Sequence, residues 1–264
     1  MNVPAAGDTG LSGARVLVTG GTRGIGAATV RRLAAAGAEV VAAARTAPAE
    51  PDEGRCRYVA ADIATADGVA ALAEQTLKIL GGIDVLVSNA GSQTHRPGGV
   101  LHFSDEDWQR DLDTNLMSAV RLDRALLPAM IAQGSGGSII HVGSNAARMP
   151  RPASLPYTAS KAALTAYSKG LAVQAGQHGI RVNIVLPGLI RTDALDTRMA
   201  SVAAQSGATS EAVLQGTVAA LGIPLGRPGT ADDVAQLIAF LAGPAAAYLT
   251  GSQFTVDGGA LPTL

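Results

Sequence analysis

A tyrosine and a lysine near the middle of the chain have the residue types and the spacing of an acid–base pair. Tyr157 precedes Lys161 by four residues in a run rich in helix formers, so both side chains lie on one face of a predicted helix. The ammonium of Lys161 would favour the phenolate and bring the tyrosine pKa, ordinarily about 10, towards neutrality. Such a tyrosine suits the interconversion of a carbonyl and an alcohol. On pattern alone the pair also fits an ordinary surface contact, so the rest of the chain has to distinguish the two.

A glycine-rich segment lies between the first predicted strand and the first predicted helix. Its residues are Gly20, Thr22, Arg23, Gly24, Ile25 and Gly26. Glycines at this place allow a tight turn, let the backbone approach a pyrophosphate, and direct the helix N-terminus at it. The segment therefore favours dinucleotide binding over a purely structural turn.

The end of the second predicted strand indicates which dinucleotide is bound. An adenosine 2′-hydroxyl is normally held by Asp or Glu at this point, whereas a 2′-phosphate calls for Arg. The strand runs into Arg45 and Thr46 without a carboxylate, and Arg23 is a second cation within the glycine segment. Because Arg can form a charge-assisted bidentate bond with a phosphate, the sequence favours NADP(H) over NAD(H).

Strands and helices alternate along the chain. The predicted strands are continuous apolar runs at 15–19, 39–43, 57–60, 83–87, 137–142, 181–186 and 253–256. The predicted helices cover 24–36, 67–80, 105–132, 155–177 and 232–241, and 192–221 is expected to form a mostly helical flap. This alternation implies βαβ units in a parallel sheet covered on both faces. We expect 1–12 to be a flexible tail and 13–264 to be a single α/β domain.

Composition argues against several classes of protein. The 264 residues are 47% hydrophobic and carry a net charge of -1 with no basic block, which disfavours nucleic-acid binding. A single cysteine and four histidines without ligand spacing argue against an intramolecular disulfide and a metal site. The sequence shows no signal-peptide pattern and no run of roughly 18 apolar residues. These features predict a cytoplasmic protein without a membrane span.

Several motifs occur together in a characteristic order. They are the glycine segment after Thr19, the triplet Asn89-Ala90-Gly91, Ser144, and Tyr157 with Lys161. In these motifs the sequence resembles the classical short-chain dehydrogenase/reductases over about 13–260. The resemblance implies a doubly wound Rossmann fold with seven parallel strands in the order 3-2-1-4-5-6-7.

The resemblance also implies catalytic roles for four residues. Asn115 would anchor a water through its local backbone, and Ser144 would hydrogen-bond the substrate oxygen. Tyr157 would transfer the proton and would also contact the cofactor. Lys161 would lower the pKa of that tyrosine and bind the nicotinamide ribose.

The same resemblance assigns the remaining cofactor contacts. Asp62 and Ile63 would hold the adenine ring, although Asp62 could instead be a simple strand-end cap. The segment that would lie against the adenine ribose is Asn89, Ala90 and Gly91. The residues that would contact the nicotinamide are Pro187, Gly188, Ile190 and Thr192.

Together these inferences predict an NADPH-dependent reductase of a small-molecule ketone or 3-oxoacyl substrate. An NAD-dependent secondary alcohol dehydrogenase and a noncatalytic dinucleotide sensor or scaffold remain as alternatives. Arg148, Met149 and Arg151 could line the substrate pocket or belong only to a loop. Members of the family are commonly homotetramers, so we expect a homotetramer or a homodimer.

Overall fold

Seven parallel strands form the main sheet in the computed structural model, which describes residues 9–46 and 54–262. These strands are β1 (Arg15–Thr19), β2 (Glu39–Ala44), β3 (Cys56–Ala60), β4 (Val85–Ser88), β5 (Gly137–Val142), β6 (Ile180–Pro187) and, last in the chain, β9 (Gln253–Val256). Their order is β3-β2-β1-β4-β5-β6-β9. Since β9 is the seventh strand of this sheet, the predicted order is confirmed. A separate parallel pair, β7 (Ile190–Arg191) and β8 (Gly229–Thr230), was not predicted.

Helices cover both faces of this sheet. They are α1 (Gly24–Ala35), α2 (Ala66–Leu80), α3 (Asp105–Leu112), α4 (Ser118–Gln133), α5 (Leu155–Gly176), α6 (Asp193–Ser206), α7 (Ser210–Ala220) and α8 (Ala231–Ala242). Threonine or serine side chains cap the N-termini of five of them by accepting a backbone N–H, as Thr65 does for α2 and Thr192 for α6. The predicted helical content of 192–221 is confirmed by α6 and α7, and its role as a flap stays a prediction.

One predicted helix is wrong in a way that matters for the site. The expected continuous helix over 105–132 is interrupted between α3 and α4 by a π turn, Asp113–Met117. The N–H of Ser118 bonds to the carbonyl of Asp113, five residues back, so this turn is wider than an α-helical one. Such turns are common at functional positions. The apolar periodicity of the sequence runs on through the turn and does not reveal it.

Apolar side chains pack on both faces of the sheet, as the continuous apolar strands required. On one face, Val16, Val18 and Val40 pack with residues of α1 and α8. On the other, Leu17 and Val41 pack with residues of α2, α4 and α5. Neighbouring residues of a strand thus point to opposite faces, and the paired helices fix the strand ends that carry the site.

The N-terminal prediction needs one correction. Most of the predicted tail, 1–12, lies outside the described residues, but Leu11 is only 2% exposed and packs in the core beside α8. An apolar side chain in this position gains free energy from burial, so the packed chain begins by residue 11. The assignment of residues 13–264 to a single domain stays a prediction. No helix within 9–46 and 54–262 has the length and apolarity to cross a membrane.

Candidate active site

The carboxyl ends of β1, β4, β5 and β6 lie at the same edge of the sheet, because all four strands are parallel. Ligands of doubly wound folds bind in the crevice outside this edge. The segments that follow these strands contain the glycine segment, Asn89, Ser144 and Gly188. The fold therefore brings four separate predicted segments to one place.

The glycine segment has the shape needed to approach a pyrophosphate. Gly20 has φ 67°, and a Cβ there would lie 2.9 Å from Asn89 Nδ2. A Cβ on Gly26 would collide with the Gly20 carbonyl oxygen. Helix α1 starts after Arg23 with no side-chain cap and no acidic residue in its first turn. The backbone N–H groups of its first turn can therefore bind an anionic ligand.

Asn89 ties the end of β4 to the end of β1. Its side-chain Nδ2 donates to the Thr19 carbonyl at 2.8 Å. The backbone N–H groups of Asn89 and Ala90 both donate to Thr19 Oγ1, at 3.0 and 3.1 Å. These bonds hold the predicted ribose segment against the start of the glycine segment.

The structure places the predicted 2′-phosphate cations at the surface. Arg23 and Arg45 are exposed, as is Thr46, and no carboxylate of the described residues lies within 4 Å of either guanidinium. β2 ends in Ala44 without an acidic residue. The end of β2 thus lacks the carboxylate that would repel a 2′-phosphate, which fits NADP(H).

Asp62 shows the strand-end cap that the sequence left open. Its Oδ1 accepts the backbone N–H of Ala64 at 3.1 Å. The neighbouring Ile63 is 8% exposed and packs in the core on the face covered by α2. The adenine contacts of these two residues stay predictions.

Ser144 and Tyr157 meet through a side-chain hydrogen bond. Ser144 directly follows Gly143 at the end of β5, and its Oγ also accepts the N–H of Ala146 at 3.1 Å. Tyr157 is in the first turn of α5, where Pro156 suits a helix start. Both hydroxyls can therefore reach one oxygen of a substrate.

Lys161 lies one turn further along α5 and is buried, with 3% exposure. Its Nζ donates to the carbonyl of Val142 at 2.8 Å and lies 6.0 Å from the centre of the Tyr157 ring. The predicted placement of both side chains on one helical face is confirmed. The bond to Val142 anchors the lysine to the end of β5.

The predicted lowering of the Tyr157 pKa is wrong. Burial raises this pKa, and the charge of Asp111 raises it further, while the hydrogen bond with Ser144 acts in the opposite direction. Burial also lowers the pKa of Lys161 to about 8, since an apolar surrounding disfavours the ammonium. The reason is physical: burial disfavours the phenolate and outweighs the hydrogen bond with Ser144. Tyr157 consequently keeps its proton at neutral pH, as a proton donor requires.

Asn115 sits in the π turn and is 2% exposed. Its Nδ2 donates to the Ser92 carbonyl at 2.9 Å, and its Oδ1 accepts the Ser92 N–H at 3.0 Å. A Cβ on Gly91 would lie 2.9 Å from Asn115 Oδ1 and 3.5 Å from Lys161 Nζ. Asn115 and Lys161 thus converge on the backbone of Gly91, the last residue of the predicted ribose segment.

Asp111 is a functional candidate that the sequence analysis missed. It is fully buried, accepts the Thr94 hydroxyl at 3.0 Å and N–H at 3.1 Å, and lies 3.4 Å from Ser92 Oγ. Its charge raises the pKa of both Tyr157 and Lys161. The available signal was its position four residues before Asn115, on the same helical face.

A cavity of about 420 Å³ opens beside Ser144 and Tyr157. Its lining comprises Gln93, His95, Ser144, Asn145, Ala146, Arg151, Ala153, Ser154, Tyr157, Gly188, Leu189, Leu195, Arg198, Met199, Val202, Val213, Thr217, Leu221 and Ala260. Most of the later residues belong to α6 and α7, so the predicted flap forms one wall. Arg151 lines the cavity, whereas Arg148 and Met149 do not.

The predicted nicotinamide residues are spread along the segment that leads into this wall. Pro187 ends β6, and the N–H of Gly188 donates to the Val256 carbonyl at 2.9 Å. Ile190 is in β7 and 8% exposed, and Thr192 caps α6. Only Gly188 of the four lines the cavity. Within the described residues, no group of three or more His, Cys, Asp or Glu side chains could hold a metal ion.

Comparison with known proteins agrees with this geometry. Residues 20–260 match the family model described as enoyl-(acyl carrier protein) reductase. A 3-oxoacyl-[acyl-carrier-protein] reductase of Synechocystis sp. is 39% identical over 261 residues, covering 95% of this chain and 98% of the relative. The short-chain reductase protein NovJ of Streptomyces niveus is 36% identical, covering 92% of both chains.

Solved structures include a similar fold with a bound cofactor. L-sorbose reductase from Gluconobacter frateurii, complexed with NADPH and L-sorbose, superposes with a TM-score of 0.91 and 34% identity. The match covers 97% of this chain and 100% of that chain. Aldohexose dehydrogenase from Thermoplasma acidophilum gives a TM-score of 0.87 at 27% identity, covering 98% and 99% of the two chains.

Proposed function

The chain belongs to the classical short-chain dehydrogenase/reductase family, and on that premise we propose that it reduces a ketone or 3-oxoacyl carbonyl to a secondary alcohol with NADPH. The observation that carries the proposal is the hydrogen bond between Ser144 and a protonated Tyr157 at the cavity. The similarity to a 3-oxoacyl-[acyl-carrier-protein] reductase and to L-sorbose reductase supports carbonyl reduction.

In the proposed reaction, a dinucleotide held at the glycine segment would supply the hydride for the carbonyl carbon. Negative charge then develops on the carbonyl oxygen, where the hydroxyls of Ser144 and Tyr157 donate hydrogen bonds. Tyr157, which holds its proton at neutral pH, transfers it to that oxygen. In the reverse direction the same hydroxyl must first lose its proton, so alcohol oxidation should become faster as the pH rises.

Lys161 and Asn115 act behind the tyrosine in this proposal. The Lys161 ammonium donates to Val142 and lies over the Tyr157 ring at 6.0 Å, where its charge stabilises a phenolate formed by proton transfer. We propose that Asn115, whose side chain fixes the Ser92 backbone in both directions, orients the water through which the proton is replaced.

NADPH rather than NADH is the proposed cofactor. Support comes from the exposed guanidinium groups of Arg23 and Arg45, from the lack of an acid at the end of β2, and from the similar L-sorbose reductase with NADPH. Cofactor titration by fluorescence tests this. We expect the protein to bind NADPH more tightly than NADH. In Arg45→Ala the difference between these two affinities should be smaller. The exposed Arg31→Ala on α1 is the charge-matched control. Tighter NADH binding by the unmodified protein would overturn the proposal.

A panel of ketones and 3-oxoacyl thioesters, followed by NADPH absorbance, tests the activity itself. We expect Tyr157→Phe to lower turnover by about 10²–10⁴-fold, the usual contribution of a general acid, without weakening NADPH binding. Tyr248→Phe is a matched control, because Tyr248 is fully exposed. Undiminished turnover in Tyr157→Phe would exclude the proposed mechanism.

We further propose that the active form is a homotetramer or a homodimer. Support comes from large exposed apolar side chains on α5 and α8. Val173 on α5 is 76% exposed, and Phe240 on α8 is 43% exposed. Burying such side chains against a second copy is favourable. Analytical ultracentrifugation at micromolar concentration should give a dimer or tetramer, and a monomer would contradict this.

A further inference from the structure

The walls of the cavity have two different chemical characters. One wall is apolar and is built mainly from the facing sides of α6 and α7, with Leu195, Met199 and Val202 at helical spacing and Val213 opposite them. Ser144 and Tyr157 supply the reacting hydroxyls. A substrate that fits this arrangement has an apolar part next to its carbonyl.

The charged side chains of the lining are both arginines, and they lie beside uncharged polar residues such as Gln93, Asn145 and Thr217. Arg151 and Arg198 both line the cavity, together with His95. No Asp or Glu is among the residues that line it. Since the whole chain has a net charge of -1, this positive charge is a local property of the cavity.

The two guanidinium groups have no carboxylate to neutralise them. In the part of the chain that the structure describes, no ion pair within 4 Å involves Arg151 or Arg198. By contrast Arg191, which directly precedes the same flap, pairs with Asp196 at 3.1 Å and with Glu211 at 3.6 Å. Arg198 therefore differs from its neighbour in being available to an anion from outside the chain.

The positive charge also acts on the neighbouring imidazole. Burial and the charge of Arg198 lower the pKa of His95, so these two side chains face the same space. His95 Nδ1 lies 3.5 Å from Ser154 Oγ, to which Gln93 donates at 2.9 Å. His95 is thus held at the cavity wall by its neighbours, opposite the flap that carries Arg198.

We propose that the substrate carries an anionic group, a carboxylate or a phosphate, and that Arg198 and Arg151 bind it while Ser144 and Tyr157 hold the carbonyl. Guanidinium groups bind both anions through charge-assisted hydrogen bonds. The apolar wall then accommodates the carbon chain between the anion and the carbonyl. This inference rests on the proposed reductase function and specifies its substrate class.

Matched pairs of acid and neutral substrate test the inference. We would compare 5-oxohexanoate with its methyl ester, and dihydroxyacetone phosphate with dihydroxyacetone, in wild type, Arg198→Met, Arg151→Met and the surface control Arg31→Met. The expected result is a preference in kcat/KM for the anionic member of at least one pair. Arg198→Met should reduce that preference by about tenfold, mainly through KM, whereas Arg31→Met retains it. The pair that shows the preference identifies the anion as carboxylate or phosphate.

Calorimetric titration with the unreactive pair hexanoate and hexanamide gives a readout that does not depend on turnover. Wild type should bind hexanoate more tightly than hexanamide, and in Arg198→Met this preference should be clearly smaller, with hexanamide binding unchanged. Equal kcat/KM for the acidic and neutral members of both pairs would overturn the inference while leaving the reductase proposal intact. No NADPH consumption with any ketone, together with hexanoate binding that depends on Arg198, would instead count against the reductase proposal.

Discussion

The buried ammonium of Lys161 should make the protein less stable at neutral pH than at high pH. Its pKa falls from the ordinary 10.5 to about 8 because the side chain is buried. At about 1.4 kcal/mol for each pKa unit, this fall corresponds to about 3 kcal/mol. The folded state therefore binds the Lys161 proton less strongly than the unfolded state does. Burial of this charge consequently lowers the free energy of unfolding.

The sign of the pH dependence follows from these two values. Below pH 8 both states bind the proton, and the destabilisation is fully present. Between about 8 and 10.5 the folded state has lost the proton and the unfolded state has kept it, so the free energy of unfolding rises with pH. Between pH 7 and pH 9.5 this contribution amounts to about 2 kcal/mol.

Lys161→Met isolates this contribution. Met fills a similar space without a charge, so the rise between pH 7 and pH 9.5 should be smaller by about 2 kcal/mol than in wild type. The variant should also be more stable than wild type at pH 7, although the Val142 carbonyl loses its donor at a cost of about 1 kcal/mol. Urea unfolding of the protein without added cofactor, followed by circular dichroism, measures both quantities.

Lys169→Met is the matched control, since Lys169 is an exposed lysine on the same helix whose Nζ donates to the Gly251 carbonyl at 3.2 Å. In Lys169→Met the free energy of unfolding should rise between pH 7 and pH 9.5 as much as in wild type. If Lys161→Met and wild type show the same rise between pH 7 and pH 9.5, the buried lysine is not destabilising, and the reasoning from its burial fails.

Three further predictions follow from the site and the core. Asp111→Asn removes a charge that raises the pKa of Tyr157, so the pH profile of kcat/KM for alcohol oxidation should move to lower pH; an unmoved profile would mean that Asp111 does not act on the tyrosine. Asp123→Ala leaves the fully buried His141, whose Nε2 lies 3.1 Å from the Asp123 carboxylate, without its partner. We expect unfolding to become easier by about 3 kcal/mol, whereas the exposed Asp105→Ala should change stability little. Saturating NADPH should slow proteolysis within the flap 192–221, because binding favours its closure; unchanged cleavage would argue against a moving flap.

The strands could be predicted because their signals are local in sequence, whereas the strand order and the four catalytic candidates were implied by the resemblance to the family. The continuous apolar strands and the glycine segment each depend on a few neighbouring residues. Tyr157 and Lys161 were correctly placed on one helical face, since their spacing determines it. The short β7–β8 pair, with two residues in each strand, was missed because so short a run carries no pattern.

The electrostatics of the site could not be predicted, because they depend on burial. The sequence shows that Tyr157 is near a cation, but not that Lys161 is buried and Tyr157 half-buried, and this burial reverses the direction of the tyrosine pKa change. Asp111 in sequence looks like an ordinary helical acid, and only the tertiary structure shows that it is buried and hydrogen-bonded to Thr94. Arg198 likewise reaches the cavity only through the packing of α6.

Transfer of deuterium from the cofactor is the most direct test of the central claim. The protein would be incubated with NADPH deuterated at C4, on each face in turn, and with the best ketone or 3-oxoacyl substrate, and the alcohol would be analysed by mass spectrometry. The account predicts one deuterium at the carbinol carbon from one face only, with formation slowed by about 10²–10⁴-fold in Tyr157→Phe. Alcohol without deuterium from either face, or equal rates in wild type and Tyr157→Phe, would contradict it.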